Sequence, residues 1–239
     1  MGSRSLNIMC YADYAFLTAE SEDDLQRLVY EFKKAAEELN MIVSCEKSMT
    51  MVVAKELIRC KIVINGKILE QVSRFNYLGV TVSSERCVVE EVRTQAHKAA
   101  KIGGCLGDIV WTMSHKAKTR IYKACVRPLL TYTAETRAET STIKRIARTT
   151  EMRILRSIKG ETLRDHVRSS DIREELEVQD VVRSVRARRR FWGDHVASMQ
   201  DERLAKWAES QKPSTHRPLG RPPKRWKESW NSMSQEFCQ

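Results

Sequence analysis

A single aspartate lies in the middle of an apolar run near the start of the chain. The run reads Ile8-Met9-Cys10-Tyr11-Ala12-Asp13-Tyr14-Ala15-Phe16-Leu17, and it predicts a buried β-hairpin with Asp13 at its tip. A buried carboxylate is costly unless it is paired, hydrogen-bonded or bound to a metal. Asp13 is therefore a candidate metal ligand, although an ordinary turn aspartate is the simpler interpretation of these residues alone.

Two basic segments near the end of the chain combine arginine with tryptophan. Residues 181–192 contain no acid, and the segment Lys212–Lys227 contains none either. Guanidinium groups suit phosphate contacts, and indole rings suit stacking on unpaired bases. The segments predict nucleic-acid binding, with a merely solvated basic face as the alternative. The candidate side chains are Arg183, Arg186, Arg188, Arg189, Arg190 and Trp192, followed by Arg217, Arg221, Lys224, Arg225 and Trp226.

The net charge of +11 is distributed unevenly along the chain. Residues 1–80 hold 10 Lys or Arg against 11 Asp or Glu, whereas residues 81–239 hold 32 against 20. The excess positive charge therefore lies in the last two thirds, which favours a polyanionic partner, most simply RNA or DNA.

Composition excludes several other classes of protein. The seven cysteines form no Cys-x-x-Cys pair, and the five histidines have no zinc-ligand spacing with them. Together with the lack of a signal peptide, this indicates a reduced, intracellular protein of the cytoplasm or nucleus. No apolar run is long enough for a membrane span, and no glycine-rich phosphate loop is present.

The first third predicts short strands around one helix. Ser21 begins an amphipathic helix, and Asn40 ends it. The apolar stripe of this helix is Leu25, Leu28, Val29, Phe32, Ala35, Ala36 and Leu39. Residues 41–45 and 49–54 are apolar runs, and the first is predicted to be a strand. Asn65-Gly66 predicts a type I′ hairpin, and residues 75–82 predict a strand in which Gly79 marks a bulge.

The remainder predicts helices. The first covers about 88–102, with Gly103 and Gly104 weakening its end. Ser114 caps the second, and Pro128 kinks or ends it. Its predicted apolar face is Ala117, Ile121, Ala124 and Cys125. Thr140 or Thr142 opens a third helix that Gly160 terminates, and two more cover roughly 162–177 and 179–199.

Several segments, in order, resemble the reverse transcriptases of non-LTR (LINE-type) retrotransposons. Tyr11-Ala12-Asp13-Tyr14 resembles the Tyr/Phe-Ala-Asp-Asp of their catalytic hairpin. Phe75-Asn76-Tyr77-Leu78-Gly79 resembles their primer-grip hairpin. Further matches are Tyr122–Tyr132, Glu135-Thr136, Arg188–Met199 and Gly220–Trp226.

The resemblance implies a role for several residues. Asp13 would be a metal-binding catalytic aspartate, and Mg²⁺ is the family's cofactor. Lys47 would lie near the phosphates of the incoming nucleotide, and Tyr77, Leu78 and Gly79 would hold the primer end.

The same comparison indicates that the chemistry is incomplete. Nucleotidyl transfer uses two metal ions held by carboxylates, but Tyr14 stands where the family has its second hairpin aspartate. The family's upstream catalytic aspartate has no counterpart, since only ten residues precede Tyr11. We therefore expect the chain alone to lack polymerase activity and to bind no Mg²⁺. The absent strands would leave an open sheet edge, so we expect residues 1–82 to have low solubility or to pair with another chain.

These inferences define an α+β protein, in which a small antiparallel sheet with a packed helix precedes an all-α region and an extended basic tail. The expected organisation is a partial palm over 1–82, a thumb-like helical domain over 83–160, a basic helical region over 161–210 and a basic tail over 211–239. The expected function is that of a nucleic-acid-binding reverse-transcriptase fragment. A helical protein-interaction module with a solubilising basic face is the alternative.

Overall fold

A computed structural model describes residues 6–54, 56, 58–85, 88–109, 113–211 and 220. The chain divides into two compact units, Met1–Cys87 and Val88–Gln239. Strands lie in the first unit and all but one of the described helices in the second. The predicted α+β class is thereby confirmed.

In its described residues, the first unit contains one helix and short paired strands. Its elements are β1 (Ile8–Tyr11), β2 (Tyr14–Leu17), α1 (Glu22–Glu38), β3 (Met49–Thr50), β4 (Val63–Ile64), β5 (Lys67–Ile68), β6 (Glu70–Gln71), β7 (Arg74–Tyr77) and β8 (Val80–Ser83). Four two-stranded sheets result, of which β1-β2, β4-β5 and β7-β8 are antiparallel and β3-β6 is parallel.

Local signals fix the ends and turns of this unit as predicted. The hydroxyl of Ser21 accepts a hydrogen bond from the Asp24 amide at the start of α1. Asn65 and Gly66 both have positive φ, as the type I′ turn between β4 and β5 requires.

Leu78 and Gly79 likewise have positive φ, so Gly79 lies in the turn of a second hairpin. The strand with a bulge that the residues alone predicted for 75–82 is wrong, because the chain reverses there and forms a hairpin, as the resemblance implied.

The small core of the first unit lies between α1 and the β4-β5 hairpin. Val29 of α1 is buried with Ile62, Ile64 and Leu69. The side chain of Gln26 both donates to the Val63 carbonyl and accepts from its amide, at 3.0 and 2.8 Å. The predicted stripe of α1 is only partly buried, since Ala35 and Leu39 are exposed. Residues 41–45 form no strand.

Helices joined by loops and turns make up the described part of the second unit. Its elements are α2 (Val88–Ile109), α3 (His115–Ile121), a π-helical turn (Tyr122–Val126), α4 (Arg127–Leu130), α5 (Ser141–Lys159), a 3-10 turn (Leu163–Asp165), α6 (Ser169–Glu175), α7 (Val181–Ala197) and α8 (Leu204–Ser210). Ser114 and Thr140 cap α3 and α5 as predicted, and Gly160, with φ of 77°, ends α5.

Two expectations for these helices are corrected. Helix α2 does not end at Gly103. The missing side chain of Gly103 instead allows α2 to pack closely on α5. A Cβ at Gly103 would lie 3.0 Å from Ile154 Cγ1. The predicted apolar face of α3 is also wrong: Cys125 is exposed, whereas Tyr122 and Val126 are buried. The π-helical turn lies just before Pro128, which lacks the N–H of a regular helical bond.

The core of the second unit forms where α2, α5, α6 and α7 meet the segment from α3 to α4. Its buried apolar residues are Ala96, Ala99, Tyr122, Val126, Leu130, Met152, Ile154, Leu155, Ile172, Leu176, Val178, Val181 and Val182. This core sets which side of α7, a helix with five arginines, faces solvent.

Candidate nucleic-acid interface

Helix α7 carries the first of the two predicted basic segments, and its start is firmly held. Asp180 caps the helix by accepting from the amides of Val182 and Arg183. Its carboxylate also pairs with the guanidinium groups of Arg148, at 2.9 Å, and of Arg173, at 3.3 Å. Burial raises the pKa of Asp180, but the hydrogen bonds and charges around it outweigh burial and leave that pKa below its usual range.

A fully buried carboxylate also fixes α7 against the rest of the unit. Glu151 of α5 has no solvent exposure. Its Oε1 accepts from the Tyr122 hydroxyl at 2.9 Å and from Arg127 Nη2 at 3.0 Å. Its Oε2 accepts from Arg173 Nη2 at 2.9 Å and from the Val181 amide at 3.1 Å. One carboxylate therefore joins α4, α6, the π-helical turn and the first residue of α7.

Some of the predicted α7 arginines point into the protein. Arg189 is 3% exposed and donates to the carbonyls of Ala134 and Arg137, at 2.7 and 3.0 Å. Arg186 and Arg189 both contact Glu139, with Arg186 Nη2 at 2.7 Å from Oε1. These two arginines hold the 131–140 loop against α7. Because Arg189 is buried and bonded to these groups, it contributes to the packing of α7.

The acid at the centre of this cluster stays ionised. Burial raises the pKa of Glu139, but the hydrogen bond from Arg186 and the charges of Arg186, Lys144 and Arg189 outweigh it, so that pKa lies below its usual range. Arg188 is half exposed and pairs with Glu135, and it also donates to the Thr131 hydroxyl at 2.9 Å.

The outer face of α7 retains the remaining candidates. Arg183 and Arg190 are exposed, and Phe191 is 77% exposed. Trp192 is half-buried with its ring centroid 5.7 Å from that of His195. A cationic edge beside an exposed aromatic ring suits a phosphate backbone with an unpaired base stacked on Phe191.

The candidates of the first unit lie on two hairpins. The Tyr77 ring centroid is 5.4 Å from that of Phe16, and Leu78 and Gly79 form the turn of the β7-β8 hairpin. Tyr77 is half-buried by this contact, so its phenol ring supports the packing of the two hairpins.

The catalytic candidates are exposed. Asp13 lies in the turn of the β1-β2 hairpin, and Tyr11 and Tyr14 on either side of the turn are 63% and 53% exposed. The predicted buried hairpin is therefore wrong: residues 10–15 at its tip are all exposed, although Phe16 packs against Phe75 and Tyr77 of β7. Lys47 is also exposed, in a turn before β3.

The described residues include too few converging metal ligands for a reaction that uses two metal ions. No three His, Cys, Asp or Glu side chains converge anywhere in the described ranges, and next to Asp13 the chain has the phenol of Tyr14 in place of a carboxylate. This donor set does not fit a pair of Mg²⁺ ions, which require several hard oxygen ligands. Among the described helices, none is long and apolar enough to cross a membrane.

The tail candidates Arg217, Arg221, Lys224, Arg225 and Trp226 lie outside the described residues. The buried hub, in which four donors converge on Glu151, was not predicted from the sequence, and neither was a basic face on α3. For the α3 face a signal exists in the charge pattern: no acid lies between Asp108 and Glu135, an interval that contains Lys116, Lys118, Arg120, Lys123 and Arg127.

Comparison with known proteins gives one informative result. The chain is 24% identical over 240 residues to an uncharacterized transposon-derived protein of Caenorhabditis elegans, and the match covers 96% of this chain and 85% of that protein. No protein-family model matches the chain. No solved structure matches it. The similarity connects the chain to a transposon-derived protein.

Proposed function

We propose that the chain is a reverse-transcriptase remnant of LINE type that binds RNA or DNA and has no polymerase activity by itself. The ordered sequence motifs support this proposal, and so does the similarity to a transposon-derived protein along nearly the whole chain.

The exposed face of α7 carries the nucleic-acid part of the proposal. Arg183, Arg190 and Phe191 lie on the solvent side of a helix whose other side is fixed by Glu139 and Glu151. A rigid helix presents these groups at low entropic cost, which favours binding. The excess of positive charge in residues 81–239 adds a sequence-independent attraction to phosphates.

The lack of catalysis follows from the donor groups at the first hairpin. Asp13 supplies one carboxylate, and the neighbouring Tyr14 supplies none. Two metal ions need carboxylates that bridge or flank them, so the hairpin would orient neither the attacking hydroxyl nor the phosphates.

The test is binding of the purified chain to primed RNA, single-stranded RNA and duplex DNA across a salt series, with Mg²⁺ and nucleotides present. We expect binding that weakens steeply with salt, without primer extension. Phe191→Ala should weaken single-strand binding by roughly 5- to 150-fold, the equivalent of about 1–3 kcal/mol for one stacked base. Leu163→Ala, which truncates another exposed apolar side chain of the same unit, is the matched control.

Primer extension would contradict the proposal for Asp13 and Tyr14. A chain that binds none of the three nucleic acids at low salt would favour the second candidate, a helical protein-interaction module. That candidate is supported by the internal pairing of Arg186, Arg188 and Arg189, since paired arginines contribute to folding without needing a nucleic acid.

A further inference from the structure

A small cavity lies inside the second unit, between the 131–140 loop and helices α2, α5 and α7. Its volume is about 40 Å³. A water molecule needs roughly 10–15 Å³, whereas a cavity that takes up benzene has about 150 Å³. Much of the wall is apolar and includes Val92, Leu130 and Ile143. An occupant of this cavity must therefore be very small.

Cations outnumber carboxylates around the cavity. Arg137, Lys144 and Arg189 line it together with one acid, Glu139. Glu139 pairs with Arg186 and Arg189 and lies 3.5 Å from Lys144. Because this single carboxylate is shared among several cations, the cavity is electropositive and favours a negatively charged occupant.

Arg137 also has a donor that lacks an acceptor. Its side chain is 10% exposed, and its Nη2 donates to Glu91 Oε1 at 2.8 Å, to Thr133 Oγ1 at 2.6 Å and to the Tyr132 carbonyl. Its Nε is buried and contacts no acceptor among the described residues. Since a buried N–H without an acceptor is costly, an occupant that accepts a hydrogen bond there would be stabilised.

The two guanidinium groups beside the cavity disfavour each other's charge. Arg189 Nη2 donates to the Arg137 carbonyl at 3.0 Å. Burial lowers the pKa of Arg137, and the charge of Arg189 lowers it further. The opposing charges of Glu91 and Glu135 do not bring that pKa back to its usual range. Burial also leaves the pKa of Arg189 below its usual range, despite Glu139. The carboxylates of this region therefore compensate its positive charge incompletely.

We infer that this cavity binds one small monovalent anion of the halide class, such as chloride. A halide accepts a hydrogen bond, carries the charge that the surrounding cations lack and is monatomic. A water molecule would supply the acceptor without the charge, and it requires two to four polar partners. Because the loop and three helices all contribute to the wall, the bound anion would stabilise the loop on these helices. This site is separate from the proposed nucleic-acid face and does not depend on it.

The experiment measures thermal unfolding of the full chain by tryptophan fluorescence, in potassium chloride and in potassium gluconate at equal ionic strength. Gluconate is an organic anion with a carbon chain too long for this cavity. Ala138→Leu enlarges a side chain of the cavity wall and should exclude the anion without removing a charge. The control is Ala208→Leu, which makes the same change at an exposed position of α8.

We expect chloride to raise the unfolding midpoint of the unaltered chain along a saturating curve. At about five times the dissociation constant, the ratio of folded to unfolded chain should be about 6-fold higher than in gluconate. For a unit of this size the midpoint should then rise by about 2–4 °C. Ala208→Leu should retain this rise, and Ala138→Leu should lose it.

Equal midpoints of the unaltered chain in the two salts would overturn the inference, and they are the result expected if water alone fills the cavity. A chloride effect that persists in Ala138→Leu, folded as judged by far-ultraviolet circular dichroism, would also overturn it. The line width of the chlorine NMR signal tests the unaltered chain without any substitution. The chain should broaden this signal, and bromide, but not gluconate, should reverse the broadening. Reversal by both anions alike would indicate surface attraction and would contradict a cavity site.

Discussion

Removal of the charge on Glu151 should destabilise the second unit more than any surface substitution. In Glu151→Gln the side chain keeps its size, but its amide group can no longer accept from all the donors that converge on the carboxylate. Arg127 and Arg173 are 15% and 17% exposed, so both would be left largely buried without their anion. Breaking a buried ion pair in this way costs about 3–5 kcal/mol.

The contacts of the two arginines refine this figure. Arg173 retains a second carboxylate, Asp180, at 3.3 Å, and Arg127 retains the carbonyl of Gln179. These remaining partners place the expected loss near the lower limit, at about 3 kcal/mol. For a unit of this size the midpoint of thermal unfolding should fall by about 6–12 °C. Tyr122→Phe removes only one donor and should cost about 1–2 kcal/mol.

Tryptophan fluorescence during urea unfolding measures this effect in the correct unit. All five tryptophans lie within Val88–Gln239, at Trp111, Trp192, Trp207, Trp226 and Trp230. The control is Glu175→Gln, because Glu175 is 57% exposed and pairs only at the surface with Lys159. Exposed pairs contribute about 0–1 kcal/mol. If Glu151→Gln and Glu175→Gln have the same free energy of unfolding, the argument for a central buried hub is refuted.

Two further predictions concern packing and pH. Gly104→Ala should stabilise α2 by up to about 1 kcal/mol, because a Cβ there meets nothing within 4 Å. In the same urea assay, Gly103→Ala should be less stable than Gly104→Ala by about 1–2 kcal/mol, because the added methyl group crowds Ile154. The depressed pKa of Asp180 should contribute stability that is complete above its usual pKa and lost as pH falls through the folded-state pKa. Asp180→Asn keeps a capping oxygen but loses the charge facing Arg148. Its free energy of unfolding should therefore fall less than that of the unaltered chain between pH 6 and pH 3, about the range in which carboxylates titrate. An acid dependence equal to that of the unaltered chain would contradict this prediction.

The local beginnings and ends of elements were predictable from the sequence. The structure confirms Ser21 and Ser114 as helix caps, Gly160 as a helix end and Asn65-Gly66 as a hairpin turn, and of the two candidate caps Thr140 and Thr142 it shows the first. Such signals act through hydrogen bonds and backbone angles within a few residues, so no distant part of the chain is needed to interpret them.

The sequence alone predicted that α7 is basic, but not which of its arginines lie on the surface and which are paired inside the protein. Arg189 is bound by carbonyls more than 50 residues earlier in the chain, and Glu151 is surrounded by groups that lie 22 to 30 residues away. Spacing along one helix carries no information about such partners. Only the packing of α5, α6 and α7 against the α3 to α4 segment decides which charges are neutralised inside the protein and which remain on its surface, because burial makes an unpaired charge costly and thereby forces these pairings.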